Sequence, residues 1–192
     1  MPGYKDRTDK GFTLVELLIV VAILSVLMSL VFPQLMRGRA EALKAACMSH
    51  LKSLHTMALM YANSEEKVFP FAGSMLTTAT AADHLQLLVD YAPKDRLKPE
   101  LFVCPASKEK PAKEEDPVTH AYHLGENSLS YAWISEDATP DAGANKLLSA
   151  DKSLDNHAGQ GVNVVYFDGA VKWIKAEGAI TWEQITGNQL VK

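Results

Sequence analysis

The chain has 192 residues, of which 22% are charged, and its formal net charge at neutral pH is −4. This length is enough for one globular domain with a sizeable core and one long element outside it. Because the chain is slightly acidic, it has no excess of cations to neutralise a phosphate backbone, and no nucleic-acid partner is expected.

The first element along the chain is an apolar run near the N-terminus. Between Leu17 and Leu35 there is no charged residue, and the polar side chains are Ser25, Ser29 and Gln34. A helix needs roughly 20 such residues to cross a bilayer, so the run predicts a membrane-spanning segment. A secretory signal peptide fits poorly, because its apolar core has roughly 7–15 residues and ends at a small-residue cleavage site. A plain anchor fits the length but leaves Glu16 unexplained.

The stretch KGFTLVELLIVVAIL, residues 10–24, resembles the signal of type IV prepilins and type II secretion pseudopilins. In that family a membrane peptidase cuts after the glycine, and the new N-terminal residue is methylated. The resemblance implies that Gly11 precedes the cut and that Phe12 becomes the methylated N-terminus. Glu16 is then the fifth residue of the mature chain. This divides the region into a leader peptide, residues 1–11, and a transmembrane and polymerisation helix, residues 12–36.

Cleavage would also give Glu16 a partner. A charged side chain in a bilayer costs ~2.5–3.5 kcal/mol on insertion scales, so such residues usually have a partner and a function. The new amine of Phe12 is positively charged and lies about one helical turn from Glu16. In a filament, the amine of a neighbouring subunit can reach the same carboxylate. We hypothesise that this pairing recruits and registers incoming subunits. The alternative is a carboxylate that snorkels to the lipid headgroups.

The resemblance implies a structural subunit of a type IV pilus-like or type II secretion pseudopilus filament, and not an enzyme. Its implied partners are prepilin peptidase, other pilin or pseudopilin subunits, an inner-membrane assembly platform and the lipid bilayer. It would be a single-pass protein of the bacterial inner membrane with an extracytoplasmic domain, and the filament would lie in the periplasm or at the cell surface. Basic residues flank the apolar run on both sides, so this orientation depends on the resemblance.

Several functions fit the signal. A secretion pseudopilus and an adhesive or DNA-uptake pilus both use it. A membrane-anchored extracytoplasmic binding protein that carries the same signal but does not polymerise is the alternative from a different class.

Beyond Arg39 the sequence predicts that the helix continues as an amphipathic segment over residues 37–63. Its apolar positions are three or four residues apart and therefore share one helical face. They are Leu43, Cys47, His50 or Leu51, Leu54, Ala58 and Tyr61. Pro33 removes a backbone donor and Gly38 weakens the helix, so a kink or local melting is expected at residues 33–38.

The remaining residues, 64–192, predict a soluble α+β domain. A short helix is expected at residues 79–91, followed by an extended connector and a charged, proline-rich surface loop at residues 107–127. Strands are expected at Ser130–Ile134, Lys146–Ser149, Val162–Phe167 and Ala170–Lys175. The last two are joined by the hairpin signal Asp168-Gly169. Residues 181–184 predict a capping box that opens a final helix. A small antiparallel sheet packed on the long helix gives the pilin-like lollipop that the resemblance implies.

Residues 156–174 carry a second resemblance, to the H-X9-DG motif of prepilin-like proteins. His157, Asp168 and Gly169 occupy the motif positions, but ten residues separate the histidine from the aspartate. A longer turn at residues 158–161 would account for the extra residue. No biochemical role follows from the motif, and a sheet hairpin with a required glycine is the simpler interpretation.

The two cysteines, Cys47 and Cys104, would both lie outside the cytoplasm, where a disulfide can form. Because Cys47 also lies on the apolar stripe, a buried free thiol fits equally well. The sequence leaves both possibilities open.

No catalytic residue and no cofactor is predicted. The motifs of P-loop, α/β-hydrolase and zinc-protease sites are absent from the sequence. The family resemblance raises calcium, for which Asp151, Asp155 and Asp168 could supply oxygen ligands. Their spacing is not that of an EF-hand, however, and aspartate is common in turns for local hydrogen-bonding reasons.

Overall fold

The computed structural model describes residues 12–64, 68–72, 79–92, 97–113, 122–134, 139–141, 143–176 and 190–191. The chain divides into two compact units, residues 1–39 and 40–192. The long helix α1 spans Leu14–Ser64 and contributes to both units. Residues 33–38 are helical throughout, so the expected local melting is wrong. Pro33 removes a single backbone donor, and the helical residues on both sides of it maintain the remaining hydrogen bonds.

In the first unit, α1 has an apolar surface on all sides. From Leu14 to Met36, every Leu, Ile, Val, Met and Phe side chain is exposed. Ser25 and Ser29 donate their hydroxyl hydrogens back to helix carbonyl oxygens at 2.8 and 2.7 Å. Since these polar groups are satisfied within the helix, the surface has the properties of a membrane-spanning helix.

In the second unit, α1 buries one face in the core. The buried residues follow steps of three and four, and they are Cys47, Leu51, Leu54, His55, Ala58 and Ala62. Leu43 and Tyr61 are half-buried at the ends of the same stripe. The predicted amphipathic stripe is therefore confirmed, with His55 and Ala62 added to it.

The second helix, α2, spans Ala81–Tyr91, close to the predicted 79–91. Thr80 caps it, and the backbone N–H of Thr80 donates to the Asp83 carboxylate at 2.7 Å. This reciprocal capping box satisfies two N–H groups that have no partner inside the helix. The buried face of α2 includes Leu85 and Leu88, and the helix contacts the first strand of the sheet.

Within the part of the chain that the structure describes, five antiparallel strands form one sheet. They are β1 (Tyr131–Ile134), β2 (Leu147–Asp151), β3 (Gly161–Tyr166), β4 (Val171–Lys175) and β5 (Leu190–Val191). Their order across the sheet is β4-β3-β2-β1-β5. All residues of β1 and β2 are buried, so both faces of the sheet are covered at its centre. The predicted α+β fold, with a long helix packed on a small antiparallel sheet, is confirmed.

The strand boundaries lie within one residue of the predictions except in two places. β2 extends to Asp151, two residues beyond the predicted end, because Asp151 pairs with Tyr131 of β1. β5 was not predicted, since a two-residue strand has no periodicity and exists through its pairing with β1. The 3₁₀ turns, which the sequence did not indicate, are Pro99–Phe102, Glu126–Ser128 and Leu154–His157. The capping box predicted at residues 181–184 lies outside the described residues.

A buried histidine on α2 makes the stability of this domain depend on pH. The Nδ1 atom of His84 accepts a hydrogen bond from the Ala72 N–H at 2.8 Å, and its ring stacks on Phe71. Burial lowers the pKa of His84, and the nearby Asp83 only partly opposes this effect. Since an unfolded histidine titrates at about pH 6.5, the neutral ring contributes stability above that pH. This contribution is lost as the pH falls from there through the lowered folded-state pKa.

We predict that the free energy of unfolding of the full chain in detergent falls more steeply below about pH 6.5 than that of His84→Asn. The asparagine amide oxygen can accept the Ala72 N–H, but it does not titrate. Urea denaturation at several pH values measures the difference. Identical pH profiles for the two proteins would contradict the assignment.

Candidate functional site

The first turn of α1 holds the Glu16 carboxylate. Glu16 Oε2 accepts hydrogen bonds from the Thr13 backbone N–H at 2.9 Å and from the Thr13 hydroxyl at 2.7 Å. The Glu16 backbone N–H donates in turn to the Thr13 hydroxyl oxygen at 3.3 Å. This is a capping box, with Thr13 as the N-cap and Glu16 as the third helical residue. Sequence reasoning missed it, although the spacing Thr-x-x-Glu before an apolar run was the available signal.

The residues around this cap are accessible. The Phe12 side chain is 74% exposed and Leu14 is 86% exposed, whereas Gly11 lies outside the described residues. Among the described residues, α1 is the one helix long and apolar enough to cross a membrane, judged by length and composition. The N-terminal segment thus combines a carboxylate with a large apolar surface that the chain itself does not bury.

The Asp168-Gly169 part of the C-terminal motif forms the β3–β4 hairpin turn, as predicted. Gly169 has a φ of +77°, which side chains with a Cβ rarely adopt. Its carbonyl oxygen accepts a hydrogen bond from Lys52 Nζ at 2.6 Å. On the same turn, His55 Nε2 donates to the Phe167 carbonyl oxygen at 2.9 Å. These contacts dock the hairpin on α1.

The histidine of the same motif has different neighbours. His157 ends the 3₁₀ turn that follows β2, and its ring packs edge-on against Trp173. Its Nε2 atom lies 3.2 Å from Asp151 Oδ2 and 3.6 Å from Cys104 Sγ. The two halves of the motif therefore make separate contacts, one with a buried polar cluster and one with α1.

Both cysteines belong to this cluster. Their sulfur atoms lie within 4.8 Å of each other, of an Asp151 oxygen and of His157 Nε2. Cys47 donates to Asp151 Oδ1 at 3.0 Å and contacts the Tyr131 hydroxyl at 3.3 Å. The structure holds both cysteines as free, buried thiols and not as a disulfide. The sequence left two possibilities open for Cys47 and Cys104, a disulfide bond or free thiols. The structure places the two side chains close together.

The cluster shifts the acidity of its members. The hydrogen bond from Cys47 is the main cause that lowers the pKa of Cys104 to about 6, and His157 adds to this effect. Burial alone would lower the pKa of His157, but the Asp151 and Cys104 contacts outweigh it and raise the value to about 9. Burial raises the pKa of the Cys47 thiol. At neutral pH this pattern favours a Cys104 thiolate beside a His157 imidazolium.

The three aspartates considered for calcium have different surroundings. Asp151 is fully buried beside sulfur and imidazole groups, which calcium does not prefer. Asp168 is exposed and accepts the Ala170 N–H at 2.8 Å within its own turn. Asp155 is exposed and lies in the first turn of the 3₁₀ segment Leu154–His157. Of the three aspartates, Asp151 is the one that belongs to a cluster of possible ligands, and its neighbours there are two cysteines and a histidine.

Comparison with known proteins finds similarity to part of the chain. Residues 6–32 match the family model described as the prokaryotic N-terminal methylation motif. The type II secretion system core protein G of Dickeya chrysanthemi is 41% identical over 56 residues, which are 29% of this chain and 37% of that protein. Its counterpart in Pectobacterium carotovorum is 42% identical over 59 residues, 31% of this chain and 36% of that protein.

A third relative is a pilin. The type IV major pilin protein PilA of Myxococcus xanthus is 30% identical over 67 residues, 35% of this chain and 30% of that protein. The chain thus spans about a third of the length of each of these curated relatives. No solved structure matches the chain.

The start of α1, capped by Thr13 and Glu16, lies within the segment that matches the methylation motif. The secretion proteins and the pilin both match this chain. The N-terminal segment of the chain is therefore similar to those of type IV pilins and type II secretion pseudopilins.

The hairpin contacts predict that Gly169→Ala destabilises the domain by at least ~1–2 kcal/mol, the usual cost of a left-handed conformation for a residue with a Cβ. In addition, the new Cβ would lie 2.7 Å from both His55 Cε1 and Lys52 Nζ. Gly125→Ala is the matched control, because Gly125 has a φ of −130° and no atom within 4 Å of the added Cβ. Denaturant unfolding of the full chain in detergent compares the two variants, and equal stability losses would contradict this role for Gly169.

Proposed function

We propose that this protein is a structural subunit of a type IV pilus-like or type II secretion pseudopilus filament, and that it has no enzymatic activity. The observation that carries the proposal is the exposed apolar surface of α1 from Leu14 to Met36, whose first turn holds the Glu16 carboxylate in a capping box with Thr13. An apolar surface of this extent needs lipid or other protein to cover it. A bilayer covers it before assembly, and the helices of neighbouring subunits cover it in a filament.

The proposed maturation begins at the leader. Prepilin peptidase removes residues 1–11 by cutting between Gly11 and Phe12, and Phe12 is then N-methylated. Residues 12–36 form the transmembrane and polymerisation helix, residues 37–63 its amphipathic continuation and residues 64–192 the globular domain. The leader lies in the cytoplasm, and the globular domain lies on the other side of the inner membrane. The assembled filament extends through the periplasm or from the cell surface.

Glu16 has two functions in this proposal. Within its own chain, Oε2 closes the capping box with Thr13 and so fixes the start of the helix. Between chains, the carboxylate pairs with the amine of a neighbouring Phe12. A charge inside a bilayer costs ~2.5–3.5 kcal/mol on insertion scales, and pairing in a medium of low dielectric recovers part of this cost. The pairing therefore favours a subunit in register over an unassembled one.

The proposed partners follow from the same segment. They are prepilin peptidase, other pilin or pseudopilin subunits of the same or a mixed filament, an inner-membrane assembly platform and the lipid bilayer. A net charge of −4 gives no reason to add a nucleic acid. A membrane-anchored protein that is processed in the same way but stays monomeric is the competing outcome in the experiments below.

We expect the protein isolated from its native membrane to begin at Phe12 and to carry one methyl group on the new amine. Intact-mass analysis followed by N-terminal peptide mapping measures both features. Filaments built from chains that retain the first eleven residues would contradict the proposal, because those chains have no amine beside Glu16.

Three variants separate the charge of Glu16 from its capping function. Glu16→Gln keeps a side chain that can close the capping box but removes the charge. Thr13→Ala removes the cap and keeps the charge, and Glu16→Ala removes both. We expect both Glu16 variants to reduce filament assembly at least tenfold, while Thr13→Ala assembles. Electron microscopy and quantification of sheared filaments measure the outcome.

Glu41→Gln is the control for these variants, because Glu41 lies on the same helix but is exposed and pairs locally with Lys44. Normal assembly of Glu16→Gln together with failure of Thr13→Ala would show that only the cap matters. If the unchanged protein is processed at Phe12 but forms no filament and no crosslinks between subunits, the monomeric alternative holds.

A further inference from the structure

Four side chains of metal-binding type meet in the core of the second unit. Cys47 comes from α1, Cys104 follows the 3₁₀ turn Pro99–Phe102, Asp151 ends β2 and His157 ends the 3₁₀ turn after it. One ligand atom from each lies within 4.8 Å of all the others. Cys47 and Asp151 are 104 residues apart in the sequence, so the tertiary fold creates this group.

Three separations within the group are close to those around a tetrahedral metal ion. With Zn–S bonds of ~2.3 Å and Zn–N or Zn–O bonds of ~2.0–2.2 Å, neighbouring ligand atoms lie roughly 3.3–3.8 Å apart. Here Cys104 Sγ is 3.6 Å and Asp151 Oδ2 is 3.2 Å from His157 Nε2. Cys47 Sγ is 3.0 Å from Asp151 Oδ1. Side-chain movements of about 1 Å would place all four atoms around one ion.

Burial gives this group a reason to bind a cation. Cys47, Cys104 and Asp151 have no exposed surface, and His157 is 9% exposed. A buried carboxylate beside sulfur atoms is costly unless a positive charge compensates it. The Nε2 proton of one imidazole can point to one acceptor at a time, whereas Nε2 has two acceptors, Asp151 Oδ2 and Cys104 Sγ, within 3.6 Å. A central divalent ion attracts all four ligands at once.

A second layer of residues holds the ligands in place. The Asn163 backbone N–H and side-chain amide both donate to Asp151 Oδ2, at 2.6 and 3.0 Å. The Tyr131 hydroxyl lies 3.3 Å from Cys47 Sγ and can donate to a thiolate there. Such supporting hydrogen bonds fix the orientation of metal ligands in proteins. A cavity of about 250 Å³, which His157 and Trp173 help to line, offers an entry path for an ion.

The donor set selects the metal. Two sulfur atoms, one imidazole nitrogen and one carboxylate oxygen suit a borderline-soft divalent ion of tetrahedral preference, above all Zn²⁺. Calcium and magnesium need an all-oxygen environment, which the cysteines exclude. Four protein ligands in a buried position are typical of a structural site, because no coordination position remains for a substrate.

We propose that Cys47, Cys104, Asp151 and His157 form a structural Zn²⁺ site. Binding releases the thiol proton of Cys47 and the Nε2 proton of His157. Both sulfur atoms, the ring nitrogen and an Asp151 oxygen then donate electron pairs to the metal. The ion joins α1 to the end of β2 and to the two 3₁₀ turns. His157 of the C-terminal motif thereby acquires a function as a ligand, independent of filament assembly.

The test uses the full chain purified in detergent under reducing conditions without chelators. We expect about one Zn²⁺ per chain by elemental analysis. After exchange, Co²⁺ should give the visible absorption of a tetrahedral ion together with thiolate-to-cobalt charge transfer. Removal of Zn²⁺ with a strong chelator should lower the Tm, and added Zn²⁺, but not Ca²⁺, should restore it. Because these measurements use the unchanged protein, they test the site even if the ligand variants fail to fold.

Two matched pairs of variants assign the ligands. Asp151→Asn and His157→Asn should weaken Zn²⁺ binding at least about tenfold. Asp155→Asn and His50→Asn replace the same residue types nearby and should bind as the unchanged protein does, because neither side chain belongs to the four-residue group.

Three results would overturn the site. The first is a reduced chain that binds neither Zn²⁺ nor Co²⁺ stoichiometrically, which would leave the group as a polar cluster satisfied by protons. The second is a Cys47–Cys104 disulfide in most native chains by nonreducing mass analysis. The third is equal loss of binding in Asp155→Asn and Asp151→Asn.

Discussion

The packing of one face of α1 against the sheet is the constraint on which the rest of the domain depends. Cys47, Leu51, Leu54, Ala58 and Ala62 are buried to within 1% of full burial. Because successive helical residues are turned by about 100° from one another, a rotation of the helix by one position would bring the polar side chains of Lys52 and Asn63 into this row. The same orientation places Lys52 and His55 over the β3–β4 hairpin and Cys47 beside Asp151. Hairpin docking and the buried cluster are thus consequences of how one helix lies on one sheet.

The two halves of α1 have different surfaces, and their sequences differ in the same way. Up to Met36 it is apolar on every side, whereas from Cys47 onward only the face toward the sheet is buried. The first half is suited to lipid or to other helices, and the second half is part of a soluble core. The capping box of Thr13 and Glu16 gives the apolar half a defined start. Glu16 therefore has a structural function within its own chain, in addition to the assembly function proposed for it.

The two parts of the C-terminal motif illustrate how a sequence pattern can combine unrelated requirements. Asp168 and Gly169 belong to a turn whose glycine needs both a positive φ and close contact with α1. His157 belongs to the buried group with the two cysteines and Asp151. In this chain β3 runs between the two parts of the motif, from Gly161 to Tyr166. The turn before β3, where Ala158 and Gly159 adopt positive φ values, is the place where the sequence predicts the extra residue.

The sequence by itself determined what depends on local pattern. It located the apolar run, the amphipathic stripe, α2, four of the strands and the Asp168-Gly169 hairpin, because helix and strand periodicity and turn chemistry are properties of neighbouring residues. It also indicated the prepilin-type signal, because the residues around Gly11, Phe12 and Glu16 are contiguous, and residues 6–32 match the methylation motif. Tertiary structure alone decided the rest. The two-residue strand β5 exists through its pairing with β1. The meeting of Cys47, Cys104, Asp151 and His157 requires residues up to 110 positions apart (47 to 157) to come within 4.8 Å. No local periodicity encodes such a distance, and it follows only when the helix is seated on the sheet.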